Sequence, residues 1–432
     1  MHVWMLLKSE LRRSLGVLGG MALVLALALS LAVSTGLAER MLRSSSAQAA
    51  DDFDLLVGAK GSAVSLLLGT VYLRDEPLFL VPAEALSTLK DSKRVRWYAP
   101  IALGDRIGNA AIVGTTKSMV LQGGARKVAE GRVFGAPLEA VAGAESGLRL
   151  GDEFLPVHGR VHGAGHAHQG EKFRVVGVMP PTGTPWDRAV MVPIERVWAL
   201  HGPFHEPLHG HLHGEHEDHD DHEEHEGHDH HAEGTPEPLE HWLTEDLSSF
   251  PGMSAIVVKP VTVADAYRLR QDFSKMTVPG HDGNPVPLMG VFSGEVLVEL
   301  YAAMGGASEA LSFITGLTLV IALAATLVTG VLLGRLRLPT LLQLRVLGAP
   351  KRYVALLLWC IVMAVVGMGA VMGVILGWGI AELCAMGLTH QTGIAMRPEL
   401  SINELRLFLL TLALGGLCAL IPAWAAGRAK MS

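Results

Sequence analysis

Four stretches of the chain contain no Asp, Glu, His, Lys or Arg: Leu15 to Ala38, Ala310 to Gly334, Val354 to Ala381 and Leu407 to Gly427. Each reaches the roughly 20 residues that an apolar helix needs to cross a bilayer core about 30 Å thick. Composition agrees, because 432 residues at 50% hydrophobic and 18% charged are more apolar than a soluble two-domain protein needs. A membrane protein with four transmembrane helices is expected. Lys8, Arg12 and Arg13 precede the first run, as they would in a signal peptide. The run exceeds the roughly 7 to 15 apolar residues of a cleavable signal, however, and no clear small-residue cleavage site follows, so it reads as a retained anchor.

Cations near the helix ends set the expected orientation. Lys8, Arg12 and Arg13 lie before the first run, Arg335, Arg337, Arg345, Lys351 and Arg352 follow the second, and Arg428 and Lys430 close the chain. They outvote Arg40 and Arg43 and put both termini in the cytoplasm. The expected division is an amphipathic cytoplasmic segment at 1–14, a first helix at 15–38 and an extracytoplasmic α+β domain at 39–305. A second helix at 306–334, a cytoplasmic segment at 335–353 and a third helix at 354–381 come next. An outer loop at 382–406, a fourth helix at 407–427 and a short tail at 428–432 complete it.

The exposed domain is long enough for its own core. It contains no cysteine: Cys360 and Cys418 lie in apolar runs and Cys384 just past one, which excludes a disulfide framework and a cysteine-based zinc site there. "DDFDLLVGAKGS" reads as a strand and turn, "VPAEALSTLKD" as a helix with Pro82 near its start, and "RVRWYAPIALGD" and "NAAIVGTT" as strands. Later pieces are β-rich up to "MSAIVVKP". "VTVADAYRLRQDFSKM" then reads as an amphipathic helix, and "GEVLVELYAAMGGASEALSFITG" as a helix continuing into the second membrane span. Asp187 and Arg188 are expected to form a structural pair in a turn.

Residues 201–234 hold twelve histidines among carboxylates, inside an insertion at 201–241 whose composition cannot build a core. Imidazole and carboxylate suit Zn, Ni or Cu(II) alike. His209, His211, His213, His216, His219, His222, His225, His228, His230 and His231 form a loose tract able to hold several ions; the alternative is a solvated polar loop. A sharper candidate is His158, His162, His166 and His168 in a Gly-rich loop, with His201 or His205 able to join them. The competing reading there is a flexible loop with incidental histidines. The net charge of −7 reflects the acidic tract, and nothing points to nucleic acid.

"GAKGS" at 58–62 lacks the G-x-x-x-x-G-K-[ST] order of a phosphate-binding loop and reads as a turn. The chain thus has no ATP site of its own, and no enzyme activity is expected of it. The four apolar runs lack the ionisable groups that an ion pathway needs. Met363, Met368 and Met372 read as packing.

One helix, a large exposed domain and three further helices is the layout of FtsX-like and MacB-like permeases of ABC systems, and the chain resembles them throughout except in the histidine tract. The resemblance is clearest in "RLRLPTLLQLRVLGAPKRYVALLLW", residues 335–359, where Leu344, Arg345, Leu347, Gly348, Ala349 and Arg352 match the "LRxLGAxxRxI" type of segment and Lys351 adds a charge. Leu338, Pro339 and Thr340 stand where many relatives carry an acidic residue. Read physically, a basic segment with Pro and Gly-Ala-Pro between two membrane helices suits a bent helix along the membrane surface.

The resemblance implies a homodimer in the bacterial inner membrane with its large domain in the periplasm. It implies a separate cytoplasmic ATPase that holds ATP-Mg, and transmission of ATP-driven motion to the exposed domain. An envelope adaptor, metal-binding or substrate protein and membrane lipid are the further partners it implies. Zinc, or Ni or Cu, would be sensed, buffered or handed over at the histidines. The alternatives are a lipid- or lipoprotein-releasing permease with ancillary histidines, a non-transport regulator of an envelope enzyme, and a metal-binding membrane protein without an ATPase.

Overall fold

The computed structural model describes residues 15–158, 166–167, 172–201, 252–280, 282–346 and 350–428. These residues divide into two units. One is helical and takes the described residues within 15–45, 302–391 and 396–428; the other is sheet-rich and takes those within 46–301 and 392–395. In chain order the elements are α1 (Leu15–Ala50), β1 (Leu55–Ala59), α2 (Ala63–Thr70), β2 (Val95–Ile107), β3 (Ala110–Thr115), β4 (Glu130–Gly131), β5 (Glu139–Ala142), β6 (Glu153–Phe154), β7 (Val157–His158), β8 (His166–Ala167), β9 (Phe173–Val178) and β10 (Val190–Pro193). There follow α3 (Ile194–His201), β11 (Ala255–Pro260), α4 (Val263–Lys275), β12 (Thr277–Pro279), β13 (Pro285–Phe292), α5 (Ser293–Val346), α6 (Lys351–Thr392) and α7 (Ile402–Arg428).

Four helices are long and apolar enough to span a membrane, with their apolar windows in α1, α5, α6 and α7. The expected fold class, four membrane helices with a mixed α and β domain between the first and second, is what the chain adopts. At about 1.5 Å per residue, the 36 residues of α1 cover about 54 Å and the 54 of α5 about 81 Å, well beyond a hydrocarbon core of about 30 Å. Both helices therefore continue past their apolar runs. Residues 335–346, expected as a separate cytoplasmic segment, are the last turns of α5.

Within the helical unit, α1 is the central rod. Leu18, Met21 and Ala22 pack on Val354, Leu357 and Ile361 of α6, while Leu25 and Ala28 meet Leu319 and Leu323 of α5 and Ala419 of α7. The close approach of α1 to α6 depends on small residues four apart, which fall on one helix face. A Cβ added at Gly369 would lie 2.8 Å from the Ala22 carbonyl oxygen, at Gly373 2.8 Å from Leu29 Cβ, and at Gly377 2.7 Å from Val33 Cβ. Large apolar side chains such as Val320, Ile375, Leu383 and Leu417 point outward and are exposed, as lipid-facing residues are. Arg40 of α1 is paired with Glu404 of α7, whose second oxygen accepts from Ser401 N and Oγ at 2.8 Å each. Arg40 and Glu404 lie beyond the charge-free runs, yet they hold two helices of this unit together.

In the sheet-rich unit the order is β12-β13-β1-β11-β2-β3-β10-β5-β9-β4, with β6 beside β9, and β7 linking β2 to β8. Most neighbours are antiparallel, but β10 runs parallel to β3 and β5 parallel to β9. Every residue of β1 is buried, because both faces of the sheet are covered. Leu55 and Val258 belong to one face, beneath Trp198 of α3 and Phe273 of α4. Leu56, Val257 and Val291 form a cross-strand row on the other, beneath α2. Ser62 caps α2 by accepting from Ser65 N at 3.1 Å, so "GAKGS" is the end of a strand, a bend and a helix cap.

The glycine stripe yields a paired test. Gly373→Val forces a side chain into α1 and is expected to lower the unfolding free energy of the detergent-solubilised protein by roughly 1–3 kcal/mol. Gly379→Val, where nothing lies within 4 Å, should change thermal unfolding little.

Candidate functional site

The expected coupling residues are distributed over a helix end and a helix start. Leu344 and Arg345 lie in the last turns of α5, and Leu347, Gly348 and Ala349 lie outside the described residues. Lys351 and Arg352 open α6 and are exposed. The carbonyl of Pro350 accepts from Tyr353 N at 2.9 Å, which sets the start of that helix.

Of the candidate metal ligands, His158 is in β7 and His166 in β8, and the two are cross-strand partners. Asp105 of β2 stands opposite His158 on the other side, so the backbone brings Asp105, His158 and His166 into one row over three strands. His201 closes α3. His162, His168, His205 and the tract from His209 to His231 lie outside the described residues. Among the described residues no three His, Cys, Asp or Glu side chains come together as a metal-holding group.

Where the chain passes between its two units, the local structure is densely pinned. The segment after α1 reads Asp51-Asp52-Phe53-Asp54. Asp52 is paired with Arg126, and Asp54 with Lys259 at 2.8 Å. Between them Phe53 is buried against Trp186, ring centroids 5.7 Å apart. The Tyr72 hydroxyl donates to the Ser46 carbonyl at 2.9 Å, tying the segment just after α2 to the last turns of α1. Burial, reinforced by the neighbouring Tyr301, pushes the Tyr72 phenol well above the usual tyrosine range, against a smaller lowering effect of the Ser46 side chain.

The second passage is equally fixed. Strand β13 ends at Phe292 and α5 begins at Ser293, with no residue between. Phe292 is held by Tyr267 edge-on at 5.0 Å and by the Arg270 guanidinium over its ring at 4.9 Å, and Arg270 pairs with Glu295 at 2.6 Å in the first turn of α5. Ala50, Phe53, Trp186, Val296 and Leu297 belong to one apolar cluster. The end of α1 and the start of α5 thus share a face of the sheet.

Asp187 does not pair with Arg188, contrary to the expectation from their adjacency. Its buried carboxylate accepts from Thr182 N and Gly183 N, at 2.9 and 2.7 Å, and from Thr182 Oγ1 at 2.7 Å. Arg188 instead reaches Glu145 at 3.5 Å. Local backbone donors in "PTGTPWD", four and five residues ahead of Asp187, capture the carboxylate first.

Residues 312–431 match the FtsX-like permease C-terminal family, a stretch that takes in the apolar part of α5, all of α6 and the whole of α7. Over those residues the chain therefore carries an FtsX-like permease C-terminal domain. The periplasmic region of MacB from Actinobacillus actinomycetemcomitans is similar at 11% identity over 57% of this chain and 92% of that one, with a TM-score of 0.31. No curated protein matches the chain.

Tyr72 gives the passage a pH signature. Below the ordinary tyrosine pKa of 10.0 the phenol is neutral in both states and has no effect on pH dependence. Above it the unfolded chain ionises while the folded phenol resists, so stability falls as pH rises beyond about 10. Tyr72→Phe should cost about 1 kcal/mol at neutral pH and flatten part of the alkaline loss, read by denaturant unfolding at pH 8 and pH 10.5.

Proposed function

We propose that this chain is the permease subunit of a transmission-type ABC system. A separate cytoplasmic ATPase docks on residues 335–353, both termini lie on that side, and two copies work as a dimer in the inner membrane. Rearrangement of the membrane helices on ATP binding and hydrolysis moves the sheet-rich domain on the periplasmic side, where it engages an envelope partner. The observation that carries this reading is the family match over residues 312–431, which includes the basic segment and both helices that flank it. The contacts at Asp52–Asp54 and at Phe292–Glu295 support it, because they hold the end of α1 and the start of α5 to the sheet of the exposed domain.

The test is reconstitution with the cognate ATPase in nanodiscs. Arg345→Glu together with Arg352→Glu should reduce co-purification of the ATPase and lower permease-dependent ATP hydrolysis at least tenfold, with thermal unfolding of the permease unchanged. Full co-purification with both charges reversed would sink the docking assignment.

The metal reading is that Zn, or Ni or Cu, binds at the histidines and makes the envelope function metal-responsive. The row of Asp105, His158 and His166 supports a folded component and the tract a loose one. Calorimetric zinc titration of the full chain lacking residues 207–233 should leave about one tight site per chain, lost in His158→Ala. No residual binding would confine metal to the tract.

A further inference from the structure

The connection between α6 and α7 contains a short piece, residues 392–395, that belongs to the sheet-rich unit although the helices on either side do not. Ala395 N donates to the Gly183 carbonyl at 2.9 Å. Gly183 has φ +72°, and a Cβ there would meet Ala395 Cβ at 3.0 Å. Gly393 has φ +73° and lies against Arg188, with a would-be Cβ 3.3 Å from Arg188 Cδ and 3.4 Å from Pro185 Cα. Gly393 and Ile394 are buried. The left-handed backbone strains any side chain at either glycine, and the atoms opposite would have to give by a few tenths of an ångström to admit one.

The surface that receives this piece is built by Asp187. Its carboxylate gathers Thr182 N, Thr182 Oγ1 and Gly183 N, and the gathered turn presents the Gly183 carbonyl outward to Ala395. From behind, Glu145 N donates to the Asp187 carbonyl at 2.7 Å and Trp186 is buried against Phe53. The turn is therefore rigid, and it touches the segment that follows α1.

We propose that residues 392–395 form a strap latched into this turn, with Asp187 as its positioning residue, and that the strap is a third path by which movement of α6 and α7 reaches the sheet-rich domain. The transmission role rests on the permease reading above; the latch does not. Asp187→Asn keeps the size of the side chain but sets an NH2 group against one of the donors. Gly393→Val disturbs the contact from the strap side with Asp187 intact.

The experiment is hydrogen exchange on the full chain in nanodiscs. Both variants should speed exchange of the peptide covering 393–396 at least tenfold while peptides from β1 and β11 keep wild-type rates. Unchanged strap exchange in both variants, or equal acceleration through the whole sheet, overturns the latch. With the cognate ATPase and ATP added, wild type should show altered exchange in β2 peptides, and Asp187→Asn should lose at least half of that response while hydrolysing ATP at the wild-type rate. An undiminished response overturns the transmission role and leaves the latch standing. A wild-type complex with no ATP-dependent change in the domain overturns the permease reading and the transmission role together.

Discussion

A backbone in hydrocarbon has no water to bond with, so each of its N–H and C=O groups must find a partner within its own segment. That constraint makes four helices of the four charge-free runs, and the rest of the architecture follows from it. The helices must then pack without a hydrophobic drive between them, because lipid is as apolar as leucine. Close backbone contact takes its place, which is why Gly369, Gly373 and Gly377 lie along α1 with less than a methyl group of clearance. The sheet-rich unit solves the opposite problem. It has water on hand and holds together by burying both faces of β1 and β11 under helices.

The helices and the strands were legible because their signals are periodic or continuous. "LLVGA" announces a buried strand, and the apolar runs announce their own spans. Helix ends were less legible. The helix α1 runs on from Ala38 to Ala50 through Glu39, Arg40 and Arg43, where Glu39 and Arg43 pair one turn apart at 2.9 Å and Arg40 reaches Glu404, more than 360 positions away in the chain. Hydropathy sees only the loss of apolar character and places the boundary early. In the same way "RLRLPTLLQLRV" reads as a bent helix distinct from the second span, whereas the helix of that span runs on through it to Val346.

The site divides along a similar line. The coupling and histidine residues stand out by composition, and two of the histidines meet across β7 and β8. The joints do not stand out. Phe53, Tyr72 and Trp186 are ordinary aromatic residues in sequence, and only their convergence around the ends of α1 and α5 gives them weight. Asp187 was misread for a physical reason: adjacency in sequence favours a charge pair, but a carboxylate in a tight turn finds backbone donors nearer than its neighbour's guanidinium. The cluster of Thr, Gly and Pro before it was the available signal.

The direct passage of β13 into α5 sets a phase as well as a length. A helix turns by about 100° and rises about 1.5 Å for each residue. With no loop after Phe292 to absorb slack, the angular position of the side chains in the first turns of α5 is counted from that strand end. A one-residue insertion anywhere along the helix would rotate all that follows by more than a quarter turn. The spacing along the helix is therefore set by its count of residues as much as by their chemistry.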